Sequence, residues 1–378
     1  MLNMKRVLVS QLQKDIHKKI LILTGPRQSG KTTLSKMIGP DFEYLNYDQI
    51  QHRKTVHEQS WDRKKDYVIL DEIHKMKNWK RFLKGIYDTE GLHPGLMITG
   101  SARLDAYKKM GDSLAGRFFQ YRLHPLDVRE LITLDPKSEP KKCIERILRF
   151  GGFPEPYLEG TEGFYTKWKK SHIDIILRQD MIDLESVRNL VAIETMVELL
   201  KSRVGNPLSY QSLSEDLQYS DKTIKNWIRI LENMYVIFKI QPFHHNIARS
   251  NLKQPKFYFF DVGQVQGDIG YKLENLVACS LLKECHYRQD VLGQDYDLHY
   301  LSKKGGIEID FLITKNKKPH LIIEVKHSDH EPSKNFKQFE KDLPKVHKVQ
   351  LVHQLKREKT YPSGIEIREV SKFLSTWK

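Results

Sequence analysis

A multidomain α/β fold is predicted by three observations. The chain has 378 residues, short apolar runs alternate with helical or loop connections, and a glycine-rich loop joins the first run to a helix. Single hydrophobic cores stop growing near ~250–300 residues, so this length predicts two to four domains. The first run, "ILILT" at 20–24, is bounded by charge on one side and glycine on the other, as a buried parallel strand is. The glycine loop follows, then a helix from about Thr32. "YVILDE" at 67–72 and "GLMITGS" at 95–101 each follow a helical or loop connection, the alternation of an α/β sheet.

Residues 1–134 therefore read as one nucleotide-binding domain. "DPKSEPKK" at 135–142 carries two prolines and few apolar anchors, the composition of a surface connection. Residues 135–200 are helical in texture, from "CIERILRFGG" to "VAIETMVELLKSR". Residues 201–262 begin with two helical segments and pass into strands at "YVIFKI" and "KFYFF". Residues 263–378 hold a helix at "LENLVACSLLKE", strands at "YDLHYL", "EIDFLIT" and "HLIIEVKH", and helical segments that close the chain.

Lys and Arg total 63 against 48 Asp and Glu, a formal +15, which favours an anionic partner while leaving an ordinary basic protein open. Cys143, Cys279 and Cys285 form no C-x-x-C pair, so neither a disulfide framework nor a cysteine zinc site is expected. His244, His245, His320, His327 and His330 lack zinc-ligand spacing and read as surface residues. No apolar run approaches the ~18–20 residues of a membrane span, and no signal core opens the sequence. A cytoplasmic protein without a membrane partner is expected.

Gly25, Pro26, Arg27, Gln28, Ser29, Gly30, Lys31, Thr32 and Thr33 contain the complete pattern G-x-x-x-x-G-K-[ST] between an apolar strand and a helix. Glycines let backbone N–H groups curl around phosphate oxygens, Lys31 reaches the β- and γ-phosphates, and Thr32 offers a hydroxyl to Mg²⁺. ATP and Mg²⁺ are the expected ligands. Asp71 at the end of "VILDE" is placed to hold the metal, and Glu72 to polarise an attacking water, so hydrolysis is expected rather than passive binding. Thr99 and Ser101 follow the third strand as candidate sensors of the γ-phosphate.

"LTGPRQSGKTTL", "YVILDEIH", "ITGSA", "LAGR" with "HPLDVREL", and "FGGFPEPYL" together resemble the ordered blocks of a family of prokaryotic AAA+ ATPases. The later blocks "HIDIILRQDM", "TIKNWIRILENMYVIFKI" and "PKFYFFDVG" extend the likeness over essentially the whole chain. The resemblance implies a P-loop AAA+ core, a helical lid, a winged helix and a C-terminal α/β domain with a restriction-endonuclease-like core. It also implies Arg117 as a finger acting on a neighbour's ATP, hence a homo-oligomer. Ala102 departs from the family, which more often has serine there.

The winged helix is expected at 201–262. In its second helix, capped by Ser220, Ile224, Trp227, Ile228 and Leu231 share one face, and Lys222, Lys225, Asn226 and Arg229 another, as a DNA recognition helix would present them. A solvated basic face is the plainer alternative. Basic "ARSNLKQPK" at 248–256 is expected to form a wing that touches phosphates.

Asp310, Glu324 and Lys326 lie on two strand-like segments in a D…E-x-K arrangement that looks like the PD-(D/E)XK nuclease core. Two carboxylates on neighbouring strands converge on a divalent cation, Lys326 acts on a water, and Glu274 adds a carboxylate from the preceding helix. Residues 301–378 hold 17 Lys or Arg against 10 Asp or Glu, a positive field around that pocket. The whole sequence thus reads as an AAA+ ATPase whose nucleotide state controls DNA binding or remodelling, with branched or broken DNA among the candidates. An ATP-regulated Mg²⁺-dependent nuclease of repair or defence, and a nucleotide-dependent protein-binding switch, are the alternatives.

Overall fold

The computed structural model describes residues 6–100, 114–180, 189–243, 254–329 and 331–377. They form two compact units, one of residues 1–124 with 233–235, the other of 125–232 with 236–378.

The first unit runs α1 (Val9–Asp15), β1 (Ile20–Thr24), α2 (Lys31–Ser35), β2 (Phe42–Asn46), α3 (Ile50–Glu58), β3 (Tyr67–Asp71), α4 (Trp79–Glu90), β4 (Gly95–Thr99) and β5 (Phe118–Arg122). Its sheet has the order β2-β3-β4-β1-β5 with every pair parallel. β1, β3 and β4 are buried at every position, which is why they appear in the sequence as continuous apolar runs. The edge strands β2, "FEYLN", and β5, "FFQYR", carry polar residues and gave no such signal. The link from β1 to β2 passes β4 and β3, whereas that from β4 to β5 passes β1. The loop after β1 therefore opens at the carboxyl ends of the strands, at the point where the winding reverses.

The second unit begins with α5 (Val128–Leu134), α6 (Pro140–Phe150), α7 (Pro154–Glu159), α8 (Glu162–Ile175), α9 (Leu190–Lys201), α10 (Tyr210–Leu217) and α11 (Asp221–Asn233). It continues with β6 (Ile237–Pro242), β7 (Lys256–Phe259), α12 (Ile269–Leu292), β8 (Tyr296–Lys303), β9 (Ile307–Lys315) and β10 (Lys318–Lys326). It ends with α13 (Asn335–Phe339), β11 (His347–Val352), β12 (Lys359–Thr360), β13 (Ile365–Glu369) and α14 (Val370–Thr376). These strands form one mixed sheet, β12-β13-β11-β10-β9-β8-β6-β7. β9 and β10 are joined by a two-residue turn in which Asn316 and Lys317 both take left-handed backbone (φ 51° and 62°), the geometry whose twist matches a hairpin.

The expectation that helical segments alone close the chain is corrected. β11 lies between β10 and β13 and is buried from Lys348 onward, with parallel neighbours on both sides. Lys348 and Gln350 disguised it. The amide of Gln350 donates to the carbonyls of Asp329 and Glu331, so a buried polar side chain is satisfied inside the sheet. The first unit also ends ten residues before position 134, because α5 packs on α6 and α14 within the second unit.

Asp261 holds one junction of the second unit. Its buried carboxylate accepts the Tyr165 hydroxyl at 3.0 and 3.1 Å and the Gly263 N–H at 3.2 Å. Burial pushes its pKa up to about 6, against the lowering effect of those hydrogen bonds. A raised carboxyl pKa means the folded state holds its proton more tightly than the unfolded chain. The contribution is favourable below the unfolded value of ~3.9 and is lost as pH rises to 6, about 3 kcal/mol in all. Asp261→Asn should therefore flatten the fall in unfolding free energy between pH 4 and pH 6. Denaturant titrations across that range check this, and identical pH slopes for both proteins would exclude Asp261 as the source.

Candidate functional site

The phosphate loop leaves β1 at Thr24 and enters α2 at Lys31, as the spacing predicts. Gly25 has φ 149°, and a Cβ there would stand 2.2 Å from the Leu123 carbonyl oxygen, so only glycine fits this turn. Gly30 (φ 94°) makes the left-handed entry to α2. Lys31, buried to 8% exposure, donates to the carbonyls of Gly25 at 3.0 Å and Pro26 at 2.6 Å. From behind, the buried Arg6 donates to the Ser29 carbonyl at 2.9 Å and the His124 carbonyl at 2.7 Å, which fixes the loop against β5. Arg6 was not singled out in the sequence, where an arginine near the start carries no pattern.

Asp71 at the end of β3 gathers three hydroxyls. Thr32 donates at 3.0 Å, Tyr44 of β2 at 2.7 Å, and Thr99 of β4 makes a further short hydrogen bond. Parallel pairing explains the convergence, since Asn46, Asp71 and Thr99 are register partners at one end of the sheet. Burial and the Asp71 carboxylate raise the Tyr44 pKa, which keeps this hydroxyl a donor. Thr99 thus faces Asp71, and Ser101 lies outside the described residues. Tyr44 was missed because its partner is 27 positions away.

Glu72 follows in left-handed backbone (φ 57°), an unfavourable state for a side chain with a Cβ, and its N–H donates to the Thr99 carbonyl at 3.0 Å. His74 Nε2 stands 3.5 Å from Glu72 Oε2. Burial pushes the His74 pKa down to about 4, so a neutral imidazole sits beside this carboxylate at neutral pH. Arg117 lies elsewhere, just before the amino end of β5, whereas the phosphate loop follows the carboxyl end of β1. Its guanidinium pairs with Asp88 of α4 at 2.7 and 3.2 Å. It therefore does not join the site of its own unit.

One observation bears on the fit to ATP and Mg²⁺: the buried Ser29 hydroxyl oxygen of the loop has no hydrogen-bond partner. Thr32 and Asp71, already linked, would hold the metal, and Lys31 with the backbone N–H groups of the loop would hold phosphate.

In the second unit, α10 and α11 follow one another across a short turn with Gln218 in left-handed backbone. Ser220 caps α11 by accepting the Thr223 N–H at 3.2 Å. Ile224, Trp227, Ile228 and Leu231 are buried, while Lys222, Lys225, Asn226 and Arg229 are exposed. β6 and β7 follow as an antiparallel pair. Residues 244–253 between them, including most of the expected wing, lie outside the described residues. Lys256, read as part of that wing, is instead buried to 2% exposure at the start of β7 and is not available to phosphates.

Asp310, Glu324, Lys326 and Glu274 do come together. Glu324 Oε1 pairs with Lys326 at 2.9 Å, and the Val325 N–H donates to Asp310 Oδ2 at 2.8 Å. Tyr258 donates to Glu274 at 2.8 Å. Burial and the neighbouring Asp310 charge raise the pKa of both Glu274 and Glu324. Among the described residues, however, no group of three or more His, Cys, Asp or Glu is placed to hold a metal ion.

Residues 17–132 match a family model described as an AAA domain, so the chain carries an AAA-type P-loop domain. Residues 141–267 and 269–372 match two domains of unknown function, DUF8612 and DUF4143. An uncharacterized protein of Methanocaldococcus jannaschii is 24% identical over 367 residues, covering 87% of this chain and 80% of the relative. An uncharacterized protein of Mycobacterium tuberculosis is 23% identical over 275 residues, 71% of this chain and 60% of the relative. Among solved structures, a variant of Thermotoga maritima RuvB aligns over 62% of this chain and 86% of that one at 15% identity, with a TM-score of 0.32. A STAND ATPase with a tetratricopeptide repeat sensor from Pyrococcus horikoshii covers 73% of this chain and 45% of that one at 13% identity, with a TM-score of 0.31. Among the described residues, no helix is long and apolar enough to cross a membrane.

Proposed function

We propose that the chain is a cytoplasmic ATPase whose nucleotide state controls its hold on DNA. The observation that carries the ATPase reading is the junction of Thr32, Asp71 and Thr99 at the mouth of the phosphate loop. Lys31 holds the terminal phosphates and balances the charge that develops there. Mg²⁺, when bound, would offset charge on the β- and γ-phosphates. Glu72, held in one backbone state and flanked by neutral His74, orients a water and accepts its proton. Tyr44 and Thr99 fix the Asp71 carboxylate so that little side-chain freedom is lost on binding. Arg117 acts on a second copy's nucleotide, which makes a homo-oligomer part of the proposal.

DNA enters through α11, read as the recognition helix of a winged helix. Support comes from its sorting into a buried apolar face and an exposed face of Lys222, Lys225, Asn226 and Arg229, together with the +15 net charge. ATP turnover should rise on adding duplex or branched DNA. Lys222→Ala with Arg229→Ala should weaken binding uniformly across sequences and reduce the slope of log K against log salt by about 2. A slope that stays the same would remove α11 from the DNA surface. Turnover and partner binding both indifferent to DNA and salt would favour the protein-binding switch. An ATP-regulated nuclease has less support, because the ion pairs of Glu274, Glu308 and Glu324 already engage lysines.

A further inference from the structure

The carboxylates of the second unit face a cation that belongs to the chain. Lys256 at the start of β7 is buried, its side chain 3% exposed. Its ammonium stands 3.2 Å from Glu308 Oε2 and 3.8 Å from Glu274 Oε1, and 5.2 Å from the centre of the Tyr300 ring. Asp310 lies close enough to act on it electrostatically. Glu308 and Asp310 alternate along β9 and so project to one side of the sheet, toward the start of β7 and the helix that carries Glu274.

Other groups engage some of the remaining oxygens. Tyr258 donates to Glu274 Oε1, and the backbone of Gly205 (φ 74°) crowds the same carboxylate, so that a Cβ there would meet its oxygens at 2.8 and 2.9 Å. The β9–β10 register ends at Phe311 and Ile323, and one residue on the Asp310 side chain takes the Val325 N–H in place of a strand carbonyl. Glu324 gives one oxygen to Lys326, while its other oxygen is buried without a hydrogen bond. A divalent ion needs several carboxylate oxygens directed at one point. Here those of Glu274 and Glu308 are directed at an ammonium, which a buried lysine requires as much as the carboxylates do.

We infer that Lys256 is the resident cation of this cluster, so that Glu274 and Asp310 are closed to a divalent metal ion and the domain has no metal-dependent phosphodiesterase activity of its own. The inference is independent of the ATPase reading, since every residue in it lies in the second unit. Removing the ammonium while keeping the volume leaves Glu274 and Glu308 without a counter-charge and makes a divalent ion the best available partner.

The test is Mn²⁺ binding without nucleotide, followed by calorimetry and by the shift in melting temperature, for wild type, Asp310→Asn, Lys256→Met, Lys256→Gln, and each Lys256 variant combined with Asp310→Asn. The combined variants separate this site from the phosphate loop. Wild type should show no Mn²⁺ binding that depends on Asp310 and should not cut end-labelled DNA in Mn²⁺. The single variants should melt lower than wild type and recover several degrees at millimolar Mn²⁺, with the recovery lost in the Asp310→Asn background. Mn²⁺ binding by wild type that disappears with Asp310→Asn alone would overturn the inference, whether or not the Lys256 variants fold. So would Lys256→Gln that folds and gains no Mn²⁺ response.

Discussion

Lys31→Ala is expected to abolish ATP turnover, a loss of at least ~10²-fold, comparable with the removal of a preorganised donor to developing charge. The ammonium is buried and donates to carbonyls of its own loop, at 3.0 Å to Gly25 and 2.6 Å to Pro26. Alanine therefore removes the ammonium that the proposal places against the terminal phosphates. The loop itself should persist, because Arg6 and the Gly25 turn hold it independently. Circular dichroism and melting temperature should therefore change little while turnover and nucleotide affinity fall together. Glu72→Gln provides the contrast. It should bind ATP with near-normal affinity and hydrolyse it slowly, because it changes a proton acceptor and leaves the phosphate contacts alone. Unchanged turnover in Lys31→Ala would end the ATPase proposal, and loss of binding in Glu72→Gln would make that residue structural.

What could be read from the sequence follows how locally each feature is determined. The phosphate loop is nine consecutive residues with backbone demands that only glycine meets at Gly25. β1, β3 and β4 announce themselves by burial on both faces. The amphipathic sorting of α11 is a property of one helix and appears as expected. The features that escaped depend on residues far apart in the chain. Tyr44 reaches Asp71 across a strand pairing, and β11 hides its burial behind Lys348 and Gln350. Lys256 shows the limit most directly. In sequence it ends a basic stretch and invites a surface reading, yet its ammonium is matched by Glu274 and Glu308, 18 and 52 positions away in the numbering, and it is buried. The carboxylates were grouped by pattern. Their counter-ion was not, because no local pattern records it.

The same logic predicts the largest loss of stability. Lys283 of α12 donates to Glu130 Oε2 at 2.6 Å, to Asp127 Oδ1 at 3.1 Å and to the Pro125 carbonyl at 3.0 Å. The next residue, Glu284, pairs with Arg129 of α5 and with Arg288 at 2.8 Å. This explains the block "LDVREL" physically, since its charged residues are partners for one turn of α12 rather than surface decoration. Asp127 also caps α5 by accepting the Glu130 N–H at 2.9 Å. Lys283→Ala leaves two carboxylates, 11% and 3% exposed, without their cation. Breaking a buried pair from one side costs about 3–5 kcal/mol, which at ~2–4 °C per kcal/mol for a unit of this size lowers the melting temperature by roughly 10 °C. Lys283→Met combined with Glu130→Leu should recover part of that loss, because it removes one of the two carboxylates left without Lys283 and refills the space with apolar volume. Thermal and urea unfolding of the three proteins check both steps. A cost below about 1 kcal/mol for Lys283→Ala would place these carboxylates in water, and a double variant no better than the single one would mean that the loss comes from the vacated volume and the Pro125 contact rather than from charge.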